Sequence, residues 1–422
     1  MQTDCVILGG GAAGLCAAAA LGRSGLRVTL LEKLPRVGKK LLATGNGRCN
    51  LSNTDMQPAY YGDSAPFVRK VYEATPPQEV SDFFTSLGLM TAVEDGRIYP
   101  RTMAASSVLD VLRMACERYG IQMMTDCEVT GFTPSRRGGW SVQLADGSGI
   151  FSPYVIDAMG GSAAPAMGTD GSGVRLLAQL GHEATPLYPA LVQLKCSHPA
   201  LKGLKGIRIQ AHLTLLIEGN AAAQETGELL FADYGVSGVC VFQLSRFVAP
   251  ALQAGQAVCL SVNFFPEIEE IHAWMNARIH MLPSVSALEW TTGILPRLLA
   301  QTLLKEAGIL PDARMEQLTQ AELESLCRAL SDFRLNVIGT QGFANAQVTH
   351  GGIVLRDVSP ETMQSRLFDG LYLTGELLDV DGRCGGYNLQ WAWTSGPCGG
   401  YNLHFAFASA LTAAKAIAGG RL

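Results

Sequence analysis

The stretch Gly9-Gly10-Gly11-Ala12-Ala13-Gly14 constrains the fold more than any other in this chain. It follows a short apolar run, Cys5–Leu8, and opens an alanine-rich segment, Leu15–Leu21. A G-x-G-x-x-G turn between a strand and a helix is built for a dinucleotide. The first glycine permits the tight turn, and the second lets a pyrophosphate approach the backbone. The third lets helix and strand pack closely, while the helix N-terminus attracts the phosphate charge. A second strand-like run, Arg27-Val28-Thr29-Leu30-Leu31, ends on Glu32, 18 residues after Gly14. A carboxylate there can accept bonds from the hydroxyls of an adenosine ribose. A plain glycine-rich turn explains neither this order nor Glu32.

Composition narrows the class. The 422 residues are enough for two to three domains, and 48% of them are hydrophobic. The net charge is −5, from 32 basic and 37 acidic residues, and no basic run exceeds Arg136-Arg137 or Lys39-Lys40. That balance argues against a nucleic-acid partner. Eleven cysteines contain no C-x-x-C pair, which argues against zinc, a disulfide framework or a redox dithiol and fits a reducing cytoplasm. The 18 residues Cys5–Gly22 carry no charge, close to the lower limit for a membrane span. Four glycines interrupt the run, and Met1-Gln2-Thr3-Asp4 has no basic residue. The expectation is therefore a buried strand and helix, with no membrane span or signal peptide.

Residues 1 to about 187 alternate between strand and helix patterns. Thr75-Pro76-Pro77-Gln78 reads as a capped helix start. Val108–Tyr119 has a helical period, Trp140–Leu144 alternates as a strand, and Tyr154–Ala158 is a short apolar strand ending in Met159-Gly160-Gly161. From Leu187 the period becomes that of strands: Ile207, Ile209, Ala211, Leu213 and Leu215, then Val258, Leu260, Val262 and Phe264. From about Pro266 to Phe333 it is helical, with capping boxes at Ser286-x-x-Glu289 and Thr319-x-x-Glu322. The expected division has 1–187 and 341–422 as the nucleotide domain. An inserted β-rich substrate domain takes 188–265 and 334–340, and a helical subdomain takes 266–333.

The C-terminal part returns to glycine chemistry. Gly370–Glu376 is a strand delivering an acid at a turn, and Gly385-Gly386-Tyr387-Asn388-Leu389 reads as a helix start. Such an acid can bind sugar-like hydroxyls. A helix N-terminus can stabilise negative charge on the N1–C2=O edge of a reduced flavin. This pairing, far along the chain from the dinucleotide turn, points to FAD rather than NAD. Glu376 is read as functional and Asp379 as a solvated turn acid.

These stretches resemble the BaiN-like flavoprotein family, also described as NAD(P)/FAD-dependent oxidoreductases or aminoacetone-oxidase-type FAD-binding enzymes. The resemblance rests on Gly9–Gly14 with Glu32, on Gly38-Lys39-Lys40 through Thr44-Gly45-Asn46-Gly47-Arg48-Cys49-Asn50, on Gly227–Phe231 through Gly235–Gly238, and on Gly375–Gly382 with Gly385–Gln390. His350-Gly351-Gly352 and Thr362–Ser365 fit as well, so nearly the whole chain is covered. It implies an α/β fold: a two-part Rossmann-like FAD domain of glutathione-reductase type, a β-rich insertion and a small helical subdomain. It carries FAD onto Gly9, Gly11, Gly14 and Glu32. Gly45, Asn46, Gly47 and Arg48 would line the pyrophosphate or flavin, Glu376 would meet the ribitol, and Gly386, Tyr387, Asn388 and Leu389 the flavin edge. The expected cofactor set also takes in Ala12, Ala13, Lys33, Lys39, Cys49, Asn50, Val129, Gly160 and Gly375. The insertion has no second G-x-G-x-x-G after a strand, so NAD(P)H would approach the flavin transiently as donor.

Two places depart from the family pattern. Ala158-Met159-Gly160-Gly161 stands where A-T-G-G is usual, followed by an irregular Ser162–Gly173. Cys384–Leu389 recurs as Cys398–Leu403 with a period of 14, and Pro397 and the added glycines should weaken a continuing helix there. The reading is a local duplication whose first copy takes the flavin contact.

A flavin performs the electron-pair transfer itself. The protein must place a substrate and supply a proton, for which His350 and Tyr387 are the catalytic candidates; His404 is the other histidine close to these motifs. A loop histidine with a backbone partner and a tyrosine packed under the flavin are the plainer readings. Cys49, with no partner cysteine nearby, reads as packing, and Trp391 and Trp393 as core. The resulting expectation is an FAD-dependent, NAD(P)H-fed reductase of an activated C=C bond in a small molecule. An enone, steroid-like or bile-acid-like, is the favoured substrate class, and the insertion would supply an apolar pocket. An oxidase or dehydrogenase of a small amine, and an FAD-bound sensing protein, are the alternatives. A flavoprotein acting on tRNA is weaker, because the acidic balance opposes it.

Overall fold

The structure, a computed structural model, describes residues 3–396. Over these residues the chain divides into two compact units: Pro189–Ala346, and the segments on either side of it.

The first unit is built on strand β1 (Cys5–Leu8), helix α1 (Ala12–Arg23) and strand β2 (Val28–Leu31). All residues of both strands are buried, as central strands of a parallel sheet must be. The run of small residues lets α1 lie deep: Ala13 through Gly22 are all buried. A Cβ on Gly14 would stand 2.0 Å from the Gly9 carbonyl oxygen, so the third glycine of the motif brings helix onto strand. Helix α2 (Ala105–Arg118), strand β3 (Gln122–Met124) and strand β4 (Tyr154–Asp157) follow, then helix α3 (Ser172–Leu180). The uncharged Cys5–Gly22 run is thus strand, turn and buried helix. Among the described residues no helix is long and apolar enough to cross a membrane.

The second unit is a closed antiparallel barrel with helices. Its strands are β5 (Leu194–Ser197), β6 (Arg208–Ile217), β7 (Asn220–Ala232), β8 (Gly235–Ser237), β9 (Val258–Asn263) and β10 (Phe333–Thr340). Around the barrel the order is β5-β8-β7-β6-β9-β10, and β10 pairs back with β5. Alternate residues fill it, among them Ala211, Leu213, Leu215, Leu260, Val262 and Leu335. Helix α4 (Val239–Gln253) lies within the stretch expected to be β-rich. Its buried Cys240, Val241, Leu244, Val248 and Ala251 follow a helical period. The two expected capping boxes both form. Ser286 and Glu289 exchange bonds at the start of the short helix Ala287–Trp290, and Thr319 and Glu322 do so ahead of Gln320–Ser331.

After the insertion the chain returns through strand Val348–His350 and adds β11 (Leu371–Leu373) to the first sheet. The sheet order is β11-β4-β1-β2-β3, parallel throughout. Residues 387–396 are helical. Two local expectations are corrected. Thr75 does not cap a following helix; its N–H donates to Val71 O and ends the helix Ala65–Ala74, while Pro77–Ser86 starts after Pro76 without a side-chain cap. His350 ends a strand rather than opening a loop. The second copy of the repeat, Cys398–Leu403, and His404 lie outside the described residues.

Candidate active site

The C-terminal ends of β1, β2, β4 and β11 open on one cleft within the first unit. At one end Gly9, Gly11, Ala12 and Ala13 line it. A Cβ on Gly11 would meet no atom within 4 Å, so the backbone there is bare to a broad anionic group at the start of α1. Gly14 stands behind the wall, packed on Gly9. Glu32 and Lys33 line the same end. The Glu32 carboxylate is oriented by two backbone donors, Gly10 N–H to Oε2 at 3.0 Å and Leu34 N–H to Oε1 at 2.9 Å. Val129 lines this half as well.

A strap over residues 163–171 forms the facing wall through Met167, Gly168 and Thr169, beside Gly160. Lysines that also line the cleft tie it down. Lys39 Nζ donates to Ala166 O at 2.8 Å, and Lys33 Nζ pairs with Asp170 at 2.8 Å. Burial alone would raise Asp170, but hydrogen bonds from Lys33 and Ser172 outweigh it and bring the carboxyl down to about 2.

At the far end Gly375 and Glu376 line the cleft. Glu376 Oε1 accepts from both the N–H and the hydroxyl of Thr349 at 2.7 Å, and Oε2 accepts from Lys40 Nζ at 2.6 Å. Thr349 Oγ1 accepts in turn from Ser162 N–H and Ala163 N–H, at 2.8 and 3.0 Å. Asn388 and Leu389, in the first turn of the 387–396 helix, complete this end. Asn388 also holds the loop before it, accepting from Gly382 N–H at 2.7 Å. The dinucleotide turn and the acid-plus-helix pair, separated by most of the sequence, thus face one space.

The Thr44–Asn50 motif behaves differently. Thr44 lines the cleft, but Gly45, Asn46, Gly47, Arg48, Cys49 and Asn50 do not. Gly45, Asn46 and Gly47 are exposed, with left-handed φ of 56°, 55° and 84°. Arg48 lies over the Tyr99 ring and pairs with Glu94 at 2.9 Å. Cys49 is buried, and burial pushes its thiol up to about 12, which fits packing rather than reactivity. Asn50, with its amide oriented to satisfy its neighbours, donates to Ser52 O and accepts from Gly386 N–H. Asn50 and Gly386 therefore lock the motif to the C-terminal helix start; a Cβ on Gly386 would stand 2.4 Å from Ser52 O.

Of the catalytic candidates, Tyr387 sits outside the cleft lining, in an aromatic cluster. Its ring lies 4.9 Å from Tyr60 and 6.2 Å from Tyr61, and Tyr61 OH donates to its carbonyl. Burial, with Tyr60 beside it, pushes its hydroxyl up to about 12. That environment suits packing more than proton delivery. His350 is also absent from the lining but ends the strand whose Val348 belongs to it. Asp379, read as solvated, accepts from Thr185 Oγ1 at 3.0 Å. Sequence reasoning missed Lys40 and Thr349, whose partner Glu376 lies 336 and 27 residues further on. It also missed the strap, which has no periodic pattern, and Trp391, which is core and cleft wall at once. Asp157, at the end of β4, is fully buried; Oδ1 accepts from Met159 N–H, Oδ2 has no partner, and burial pushes the carboxyl up to about 7. Among the described residues no cluster of His, Cys, Asp and Glu could hold a metal ion.

Comparison with known proteins places this arrangement. The description "HI0933-like protein Rossmann domain" matches residues 3–398. A 3-dehydro-bile acid delta(4,6)-reductase of Clostridium scindens is 42% identical over 92% of this chain and 96% of its own length. A ribosomal RNA dihydrouridine synthase of Escherichia coli is 30% identical over 93% of this chain and 96% of its own. Among solved structures, the 3-ketosteroid delta1-dehydrogenase of Sterolibacterium denitrificans superposes with a TM-score of 0.52 at 12% identity, covering 96% of this chain and 99% of that one; this likeness is one of fold.

Proposed function

We propose a reaction on the premise that this chain belongs to the HI0933-like protein family. It is an FAD-dependent oxidoreductase that reduces an activated C=C bond of a small molecule, an enone of steroid or bile-acid type. One observation carries the reading. A single cleft joins a dinucleotide turn and Glu32 to Glu376 and a helix start, in a chain 42% identical to a protein named as a bile-acid delta(4,6)-reductase.

FAD bound there would supply a hydride to one carbon of the double bond. The chain's residues do the rest. Gly11 and the N-terminus of α1 take the pyrophosphate, and Glu32 takes the adenosine ribose. Glu376, held by Lys40 and Thr349, meets the ribitol hydroxyls. The 387–396 helix N-terminus would lie at the flavin edge, where its dipole favours negative charge. His350 delivers a proton to the second carbon. NADPH or NADH is the transient donor.

Anaerobic stopped-flow absorbance tests the proposal. The yellow protein is mixed with NADH or NADPH, then with a 3-dehydro-4,6-bile acid. Bleaching of the flavin band followed by its return is the expected result. A band that neither nicotinamide bleaches, or that the bile acid does not restore, overturns it.

The 30% identity to an RNA-modifying relative favours a second reading, reduction of uracil in RNA. The chemistry is shared, since that double bond is also conjugated to a carbonyl. The net charge of −5 weighs toward the small molecule. Reoxidation of the reduced protein by ribosomal RNA, and not by the bile acid, would reverse the order.

A further inference from the structure

Strand Val348–His350 alternates, so Val348 and His350 share one face while Thr349 takes the other and bonds Glu376. Val348 lines the cleft. His350 Nδ1 lies 2.8 Å from Asp381 Oδ1, and Asp381 directly follows Val380, another lining residue. The exposures are unequal: 4% for the Asp381 side chain and 30% for His350. The carboxylate is enclosed, and the imidazole is the more exposed of the two. Tyr188 lies nearly parallel to the imidazole, 28° between planes with centroids 6.3 Å apart.

The backbone around the pair is built to hold this register. A Cβ on Gly351 (φ 93°) would stand 2.1 Å from Pro186 O, and one on Gly352 (φ 150°) 2.6 Å from Leu377 O. Only glycine lets the chain leaving His350 pass between these segments. On the other side, Asn388 bonds both backbone groups of Gly382, the residue after Asp381. The residue that fixes Asp381 is thus itself a wall of the cleft.

We propose that Asp381 is a positioning residue for proton delivery. It accepts from His350 Nδ1–H throughout, so that the imidazolium gives up its Nε2 proton and the ring left behind is the neutral Nδ1–H tautomer. The inference rests on the C=C reductase reading. In the step, a bound reduced flavin would supply a hydride to the carbon β to the carbonyl, and His350, as the imidazolium, would give its Nε2 proton to the α-carbon. One π bond is consumed and two C–H bonds form. The hydride donor would be left oxidised by two electrons, and His350 would be left neutral and regain its proton from water. Asp381 keeps its hydrogen bond throughout.

The test uses the holoenzyme with Asp381→Asn, His350→Gln and the double variant. Flavin content and the rate of flavin reduction by the nicotinamide should match wild type. Reoxidation by the 3-dehydro-4,6-bile acid should slow on the order of tenfold or more in each single variant. The double variant should be no slower than His350→Gln, because Asp381 acts through His350. Histidine 15N NMR of the wild-type protein gives a readout apart from turnover and needs no variant: His350 should carry its neutral-form proton on Nδ1. An Nε2–H tautomer, a wild-type reoxidation rate in Asp381→Asn, or multiplicative losses in the double variant would overturn the proposal. A wild-type flavin that the bile acid fails to reoxidise sinks the reductase reading and this inference together; failure confined to the variants' pattern sinks only the latter.

Discussion

Thr349 is the residue on which the Glu376 end of the cleft turns. One hydroxyl accepts from two backbone N–H groups and donates to Glu376. Thr349→Val keeps the shape and strands both donors, so it should cost about 2–6 kcal/mol at one to three per orphaned group. Urea unfolding measures this, and a loss below about 0.5 kcal/mol would show that other acceptors take over. Asp157 sets a pH dependence of the opposite kind. Its folded pKa, raised to about 7 by burial, lies above the unfolded value of roughly 4. Between these values the native state binds more protons than the unfolded one, so stability falls as pH rises through that window. The gap corresponds to a ceiling on the order of 4 kcal/mol. Asp157→Asn removes the titration. Wild type and variant should differ least near pH 4, and the variant should gain on wild type up to about pH 7 and no further. Melting curves that stay parallel from pH 4 to 8 would contradict the assignment.

Among elements, the strap over residues 163–171 forms a wall of the cleft and is expected to set how readily a cofactor leaves. It is held by the Lys33–Asp170 pair and the Lys39 bond to Ala166 O, and Gly168 fits against Leu34, where a Cβ would come within 2.9 Å. Asp170 is half-exposed, so salt screens the pair. Lys33→Ala should speed FAD release about two- to fivefold, equivalent to roughly 0.5–1 kcal/mol. Raising salt to 1 M should bring wild type toward the variant. Release followed by flavin fluorescence after dilution checks both; a rate indifferent to Lys33 and to salt removes the strap from the path. The elements that were legible from sequence are those with a local cause. The glycine turn, the strand ending in Glu32 and the two capping boxes each follow from neighbouring residues. Thr75 was misread because Pro76-Pro77 imitates a helix start while the preceding helix claims its N–H. Helix α4 was hidden between strands, with Pro250 in its last turn interrupting the pattern.

For the whole molecule, the order of parts is written in the sequence, but closure is not. The long strands β6 and β7 announce themselves by alternation. The barrel closes only because β8, three residues long, bridges β7 to β5, and because β10 pairs back to β5 across more than a hundred residues. No local pattern reports such pairings. The cleft depends on the same kind of contact: Lys40 meets Glu376, and Asn50 meets Gly386, through long-range folding alone. The barrel's self-containment leads to a prediction for the entire insertion. Its buried cluster runs from Leu194 to Val337 without drawing on the other unit, and closing the sheet leaves no unpaired edge. Residues 189–346 expressed alone should therefore fold, with a single cooperative thermal transition followed by circular dichroism. The product should be colourless, since every wall of the cleft lies outside it. A gradual, non-cooperative melt with strong binding of a hydrophobic dye would mean that the barrel needs the rest of the chain to pack. Flavin co-purifying with 189–346 would mean that the cofactor site had been assigned to the wrong unit.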